Sequence, residues 1–153
     1  MAISLISNPP YNLKWKAPQL AGFLPQYAGY EIPPDSNANM AFILSALNWI
    51  EDRAVILLPN GVLASNQKQE QSIRRQLISQ NLLLAVISLP GDMFESTSIP
   101  TCLLVFDKHK ETRRIAMIDL TDKCDEEVRN QRGQFGGASH EGRTYHKTVK
   151  VVS

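Results

Sequence analysis

Three continuous apolar runs constrain the fold of this chain most, because each is long enough for a strand and none alternates with polar residues. They occupy residues 54–58, 82–89 and 101–106. Runs of this kind are typical of strands that are buried on both faces, as in a parallel sheet. Two shorter apolar segments, at residues 2–7 and 115–120, predict two further strands.

A helix is predicted between the strands at residues 2–7 and 54–58. It runs from about Asn37 to Ile50, and Asp35 or Ser36 can cap its N-terminus. Its apolar residues recur at helical spacing and form one stripe that we expect to face the core: Met40, Ile43, Leu44, Leu47 and Ile50.

A second helix is predicted after the strand at residues 54–58. Asn60-Gly61 by itself is typical of a tight hairpin turn. However, Ser65-Asn66 and Gln69 have the spacing of a capping box, and the polar stretch up to Gln80 carries Ile73, Leu77 and Ile78. The pattern therefore favours strand, turn, helix, strand.

The order of these elements predicts an α/β fold, with one part of a doubly wound, mostly parallel sheet. Parallel crossovers are followed by an antiparallel hairpin, which places a reversed strand near one edge of the sheet. We expect residues 1–122 to form this unit. Residues 123–153 are polar and rich in glycine without a clear period, and are predicted to be a flexible tail.

Composition excludes several classes of protein. The 153 residues have a net charge of +1, so any contact with nucleic acid must be local or supplied by a partner. Cys102 and Cys124 are isolated, which predicts no metal site and suggests a reducing, cytoplasmic setting. No apolar run has the length of a membrane span, so no membrane partner is predicted.

The tetrapeptide Asn8-Pro9-Pro10-Tyr11 ends the first strand. Two prolines fix two φ angles and remove two backbone donors, so the strand cannot continue. The corner presents the Asn8 side-chain oxygen, the Pro9 carbonyl and an aromatic ring. A planar amine can donate its two N–H groups to the two oxygens while Tyr11 stacks on its ring.

The tetrapeptide at the end of a strand resembles the catalytic motif of amino-group methyltransferases that use S-adenosylmethionine. The runs at residues 54–63, 87–94 and 97–106 are similar to the modification subunits of type I restriction systems. This resemblance covers residues 1–122 and implies half of a Rossmann-like methyltransferase domain that acts on adenine in DNA. It implies three kinds of partner: DNA, a specificity subunit and a restriction subunit.

The resemblance also implies which residues act. The catalytic residues would be Asn8, Pro9, Pro10 and Tyr11, with the adenine base flipped out of the duplex to reach them. Weaker candidates for the base pocket are Trp15, Met93 and Phe94, for which core packing is the competing interpretation.

The sequence departs from this family in one respect. The resembling enzymes bind S-adenosylmethionine through a glycine-rich turn and an acidic residue that both precede the tetrapeptide, but only seven residues precede Asn8. We therefore identify no cofactor-binding residue and expect the donor-binding half to be absent and the chain inactive alone. Without that half, residues 2–7 form an exposed edge that favours self-association or makes a monomer unstable.

Three other hypotheses remain open. The tetrapeptide can be a proline-rich turn after an edge strand. The chain can be a non-catalytic scaffold, or the product of a split gene, that binds a specificity subunit or a complementing half. A methyltransferase that acts on a protein glutamine or on RNA also uses this type of motif.

Overall fold

The computed structural model describes residues 3–91, 93 and 99–122, and the backbone of residues 124–131 and 142–149. Within the described residues up to 122, five strands are defined: β1 (Leu5–Ser7), β2 (Arg53–Pro59), β3 (Leu83–Ser88), β4 (Thr101–Asp107) and β5 (Ala116–Asp119). They form one sheet in the order β1-β2-β4-β3-β5. Each strand that the apolar runs predict is therefore present.

Four strands of this sheet run in one direction. β1 is parallel to β2 and β5 is parallel to β3, whereas β4 is antiparallel to both of its neighbours. The predicted α/β fold, with a mostly parallel sheet and a reversed strand, is confirmed.

The reversed strand lies further inside the sheet than the sequence suggests. β3 and β4 form the predicted antiparallel pair, but β4 is on the inner side of β3 and β5 is added outside the pair. The reason is burial. Cys102, Leu104 and Phe106 are all buried, so β4 needs neighbours on both sides, whereas every residue of β5 is exposed and suits an edge.

Three helices connect the strands: α1 (Asn39–Trp49), α2 (Gly61–Ala64) and α3 (Lys68–Ser79). Two short 3₁₀ turns, Ala21–Phe23 and Pro25–Tyr27, lie in the long connection between β1 and α1. α2 was not predicted; it replaces the turn expected at Asn60-Gly61. The predicted apolar stripe of α1 is buried in the core throughout: Met40, Ile43, Leu44, Leu47 and Ile50.

The predicted helix caps are wrong at both helices. The N-cap of α1 is Ala38, which makes no side-chain cap, because Asp35 accepts a hydrogen bond from the Ala17 backbone instead. The N-cap of α3 is Gln67, whose side-chain oxygen accepts from the backbone N–H of Glu70 at 3.0 Å. In both helices the cap lies later in the chain than predicted.

In the C-terminal region, the backbone of β6 (Cys124–Gln131) pairs antiparallel with that of β7 (Gly142–Val149). The sequence did not predict this ribbon. The assignment of residues 123–153 to a flexible tail remains a prediction, because the structure describes only these two backbone stretches. Among the described residues, no helix has the length and apolar character needed to cross a membrane.

Candidate active site

The Asn8–Tyr11 bend lies at the carboxyl edge of the sheet, directly after β1. Ser7, the last residue of β1, is paired with Ile56 of β2, and this pairing fixes where the bend starts. Pro9 is buried, whereas the Asn8 side chain is exposed. The side-chain oxygen of Asn8 and the carbonyl of Pro9 accept no hydrogen bond from the residues that the structure describes. Both oxygens can therefore accept from a ligand.

Tyr11 is half-buried and reaches toward the start of β4. Burial raises the pKa of Tyr11, and the nearby Cys102 raises it further. Burial also raises the pKa of the Cys102 thiol to about 11. Both groups are therefore neutral at neutral pH, so Tyr11 can offer an uncharged ring and hydroxyl but is not suited to act as a base.

The three weaker candidates have different environments. The Trp15 indole N–H donates to the Pro34 carbonyl at 2.7 Å, and its ring packs against the core. This contact gives Trp15 a role in fixing the long loop, and its place in a base pocket stays a prediction. Met93 is half-buried, and Phe94 lies outside the described residues.

Two further polar atoms lie at the same edge of the sheet. Asn60 follows β2, and its backbone N–H donates to the Pro100 carbonyl at 2.9 Å, just before β4 begins at Thr101. The side-chain oxygens of Asn60 and Thr101 are buried and have no hydrogen-bond partner in the described part of the chain. An unpaired buried oxygen costs about 1–3 kcal/mol, so natural folds keep few of them. Sequence analysis missed both residues, because it interpreted Asn60 as part of a turn and Thr101 as strand.

Asn39, the first residue of α1, holds the turn that follows Tyr11 through two hydrogen bonds to Asn12. Asn12 has a positive φ of 50°, which asparagine tolerates better than most residues. Its backbone N–H donates to the side-chain oxygen of Asn39 at 3.2 Å, and the Asn39 amide donates back to the Asn12 side-chain oxygen at 3.1 Å. The bend is thus fixed on one side by strand pairing and on the other by Asn39.

Within the described residues, no group of three or more histidine, cysteine or acidic side chains could hold a metal ion. A cavity of about 400 Å³ lies between α1, α3 and the strands β3, β4 and β5, but none of the four residues of the bend lines it. The unoccupied oxygens at the bend are suited to accept from a flat amine.

Comparisons with known proteins relate the chain to one family. The profile of the N-6 DNA Methylase family matches residues 2–147. The Type I restriction enzyme MpnII methylase subunit of Mycoplasma pneumoniae is 34% identical over 134 residues, which are 84% of this chain and 24% of that protein. The HindI methylase subunit of Haemophilus influenzae is 31% identical over 112 residues, or 71% of this chain and 25% of that protein.

A solved structure is similar as well. It is the type I restriction-modification system methyltransferase subunit from Streptococcus thermophilus, with a TM-score of 0.74 and 32% sequence identity. The match covers 80% of this chain and 26% of the other. The chain thus spans about a quarter of the length of the relatives it matches.

Proposed function

The chain belongs to the N-6 DNA methylase family, and on that premise we propose that it carries the amine-activating part of an adenine-specific DNA methyltransferase of a type I restriction-modification system. One observation carries this proposal. Asn8 is exposed at the carboxyl edge of the sheet, and neither its side-chain oxygen nor the carbonyl of the next residue, Pro9, accepts a hydrogen bond from the described residues. Buried acceptors already bonded to main chain would not support it.

The chemistry that we propose for these groups is activation of a poor nucleophile. The lone pair of the adenine amino nitrogen is delocalised into the ring. When the Asn8 oxygen and the Pro9 carbonyl accept its two N–H hydrogens, the nitrogen shifts toward tetrahedral geometry and its lone pair becomes available. Acceptors held in place before the reaction can each be worth about 3–4 kcal/mol in a transition state. No strong base is needed for this activation.

Access to the bend requires that the target base leave the duplex. Flipping a nucleotide costs a few kcal/mol of lost stacking and pairing. Stacking of the flipped base on the Tyr11 ring would return about 1–3 kcal/mol. The neutral state of Tyr11 suits this role, because a charged phenolate would resist burial under the base.

We infer that the pocket for S-adenosylmethionine lies outside these 153 residues. No residue of the bend lines the cavity of about 400 Å³ in the described residues, and the chain matches only about a quarter of each relative. The chain is then inactive alone and acts in the cytoplasm with DNA and with the specificity and restriction subunits of such a system.

The edge strand β1 is the proposed contact for the donor-binding half. Among the strands that the structure describes, β1 pairs with β2 alone, and the Ile6 side chain is 86% exposed. Beside it, the 72% exposed Trp49 borders a groove that Ile3, Leu5 and Phe42 also line. An open apolar edge of this kind is a template for pairing with another strand.

The proposed function is tested by reconstitution. The chain is mixed with the N-terminal part of a related modification subunit and a specificity subunit, and methyl transfer is measured on DNA, RNA and protein. Transfer to adenine in DNA only in the complete mixture is the expected result. Transfer to RNA or protein would favour those substrates, and no transfer at all would favour a non-catalytic scaffold.

A second measurement tests where the donor binds. Calorimetric titration of the isolated chain with S-adenosylmethionine should show no binding at micromolar donor. Tight binding would contradict the inference that the donor pocket lies elsewhere.

The open edge leads to a separate prediction. In the absence of a donor-binding half, the isolated chain should associate through β1, and Ile6→Lys should shift it toward monomer because a charge on an edge strand opposes pairing. Sedimentation velocity over a range of concentrations measures this. Ile118→Lys is the matched control, since Ile118 lies on β5 at the opposite edge and is 42% exposed. A wild-type chain that stays monomeric at all concentrations would contradict the prediction.

A further inference from the structure

Resting on the function proposed above, we propose that Asn39 is a positioning residue for methyl transfer, which sets the orientation of the Asn8–Tyr11 bend by holding Asn12. The Asn39 amide uses both of its ends on this one residue, with its oxygen accepting from the Asn12 backbone and its nitrogen donating to the Asn12 side chain. A third bond, from the Ala38 backbone N–H to the Leu13 carbonyl at 2.8 Å, continues the contact along the loop.

The bend needs such an external anchor because its own polar groups form few hydrogen bonds within the described fold. Pro9 and Pro10 have no backbone N–H, so they cannot donate to a neighbouring strand. The Asn8 and Pro9 oxygens must stay unoccupied if they are to accept from an amine. The position of the bend is therefore set by its two flanks, which are the pairing of β1 with β2 and the turn at Asn12.

Asn39 is itself rigidly held. Its side chain is buried, with the whole residue 3% exposed, so water does not compete for the bonds to Asn12. Its backbone N–H donates to the Asn37 side-chain oxygen at 3.1 Å, and the Asn37 amide donates to the Glu70 carboxylate at 2.8 Å. Glu70 is also 3% exposed and lies in the first turn of α3, where its backbone N–H donates to the side chain of the cap, Gln67. These bonds connect the turn at Asn12 to the first turn of α3.

The test uses the reconstituted mixture described above, in which this chain is combined with the N-terminal part of a related modification subunit and a specificity subunit. We expect Asn39→Ala to lower the single-turnover rate of DNA methylation about 10-fold to 100-fold at saturating donor and DNA, because a displacement of about 1 Å at a reacting group has effects of that size. The dissociation constants of donor and DNA should not change. The rates are measured well below the unfolding midpoint of each variant.

Tyr30→Phe is the matched control. It removes a 2.6 Å hydrogen bond between the same long loop and Gln80 of the segment after α3, without touching the bend. It should leave the methylation rate unchanged. An equal loss of rate in Tyr30→Phe and Asn39→Ala would mean that the loop as a whole is needed, and would overturn the specific role of Asn39.

A second variant keeps the proposal testable if Asn39→Ala folds poorly. Asn12→Gly removes the side-chain partner of Asn39 but retains the left-handed backbone at an exposed position. The double variant should react no more slowly than Asn39→Ala alone, because both changes break the same contact. A wild-type rate in Asn39→Ala, or independent losses that multiply in the double variant, would overturn the proposal.

Hydrogen exchange distinguishes this proposal from the function on which it rests. In the isolated chain, the Asn12 backbone amide should exchange at least about 10-fold faster in Asn39→Ala than in the wild type, because opening of its acceptor contact exposes it. A failure of wild-type methylation would contradict the proposed function alone. Unchanged exchange at Asn12 would contradict the contact with Asn39 whatever the activity.

Discussion

Asn8→Ala is expected to slow methyl transfer to adenine about 100-fold to 1,000-fold in the reconstituted mixture of this chain with a related N-terminal part and a specificity subunit, because it removes one of the two acceptors for the amino hydrogens. Single-turnover assays with labelled donor at saturating DNA measure the effect. Asn8→Asp keeps an oxygen at this position and should retain more activity than Asn8→Ala. Since Asn8 is exposed and unbonded in the described structure, neither change should lower the unfolding midpoint noticeably.

The matched control for Asn8 is Asn48→Ala. Asn48 is an exposed asparagine on α1, and the same atoms are removed without touching the bend. It should methylate DNA at the wild-type rate. If Asn8→Ala also keeps the wild-type rate, the two-acceptor account of the bend is wrong, and the interpretation as a proline-rich structural turn is favoured.

Phe106→Ala is expected to destabilise the fold by about 3–5 kcal/mol, the range for truncating a large buried aromatic side chain. Phe106 is 1% exposed on β4, between β2 and β3, and belongs to the core cluster that also includes residues of α1 and α3. Because small domains are stable by only about 5–15 kcal/mol, such a loss should be plain in urea denaturation of the isolated chain.

The control for Phe106 is the same substitution at Phe23. Phe23 is 85% exposed at the end of a 3₁₀ turn, so Phe23→Ala should change the free energy of unfolding by no more than about 0.5 kcal/mol. Equal losses in the two variants would contradict the position of β4 at the centre of the sheet.

The elements that the sequence predicts well are those whose pattern is local. The apolar runs at residues 54–58 and 101–106 are strands, and the stripe from Met40 to Ile50 is buried on α1, because burial on one or both faces imposes a fixed spacing. The caps were predicted wrongly. Asp35, one of the predicted caps of α1, instead accepts a hydrogen bond from the backbone N–H of Ala17. The position of β4 between β2 and β3 depends on how strands that are distant in sequence pair with one another. A short stretch of sequence does not contain that information.

The candidate site also contains one part that local sequence predicts and other residues that only the three-dimensional structure shows. The bend at Asn8–Tyr11 could be predicted because two adjacent prolines end a strand through their own backbone geometry. Asn39 could not, because its partner Asn12 is 27 positions away and a single asparagine near a helix start is ordinary. The unpaired oxygens of Asn60 and Thr101 appear only when two chain segments meet, so their environment also requires the three-dimensional structure.

The place of β4 in the sheet also has a consequence for biosynthesis. β2 and β3 are made before β4 but are separated by it in space, so neither can complete its ladder until residue 107 has left the ribosome. Until then the nascent chain carries two unsatisfied inner edges, which are prone to pair wrongly with other chains. Translation speed during the interval when β3 has left the ribosome but β4 has not should therefore influence the yield of soluble protein, even where the encoded residues are unchanged.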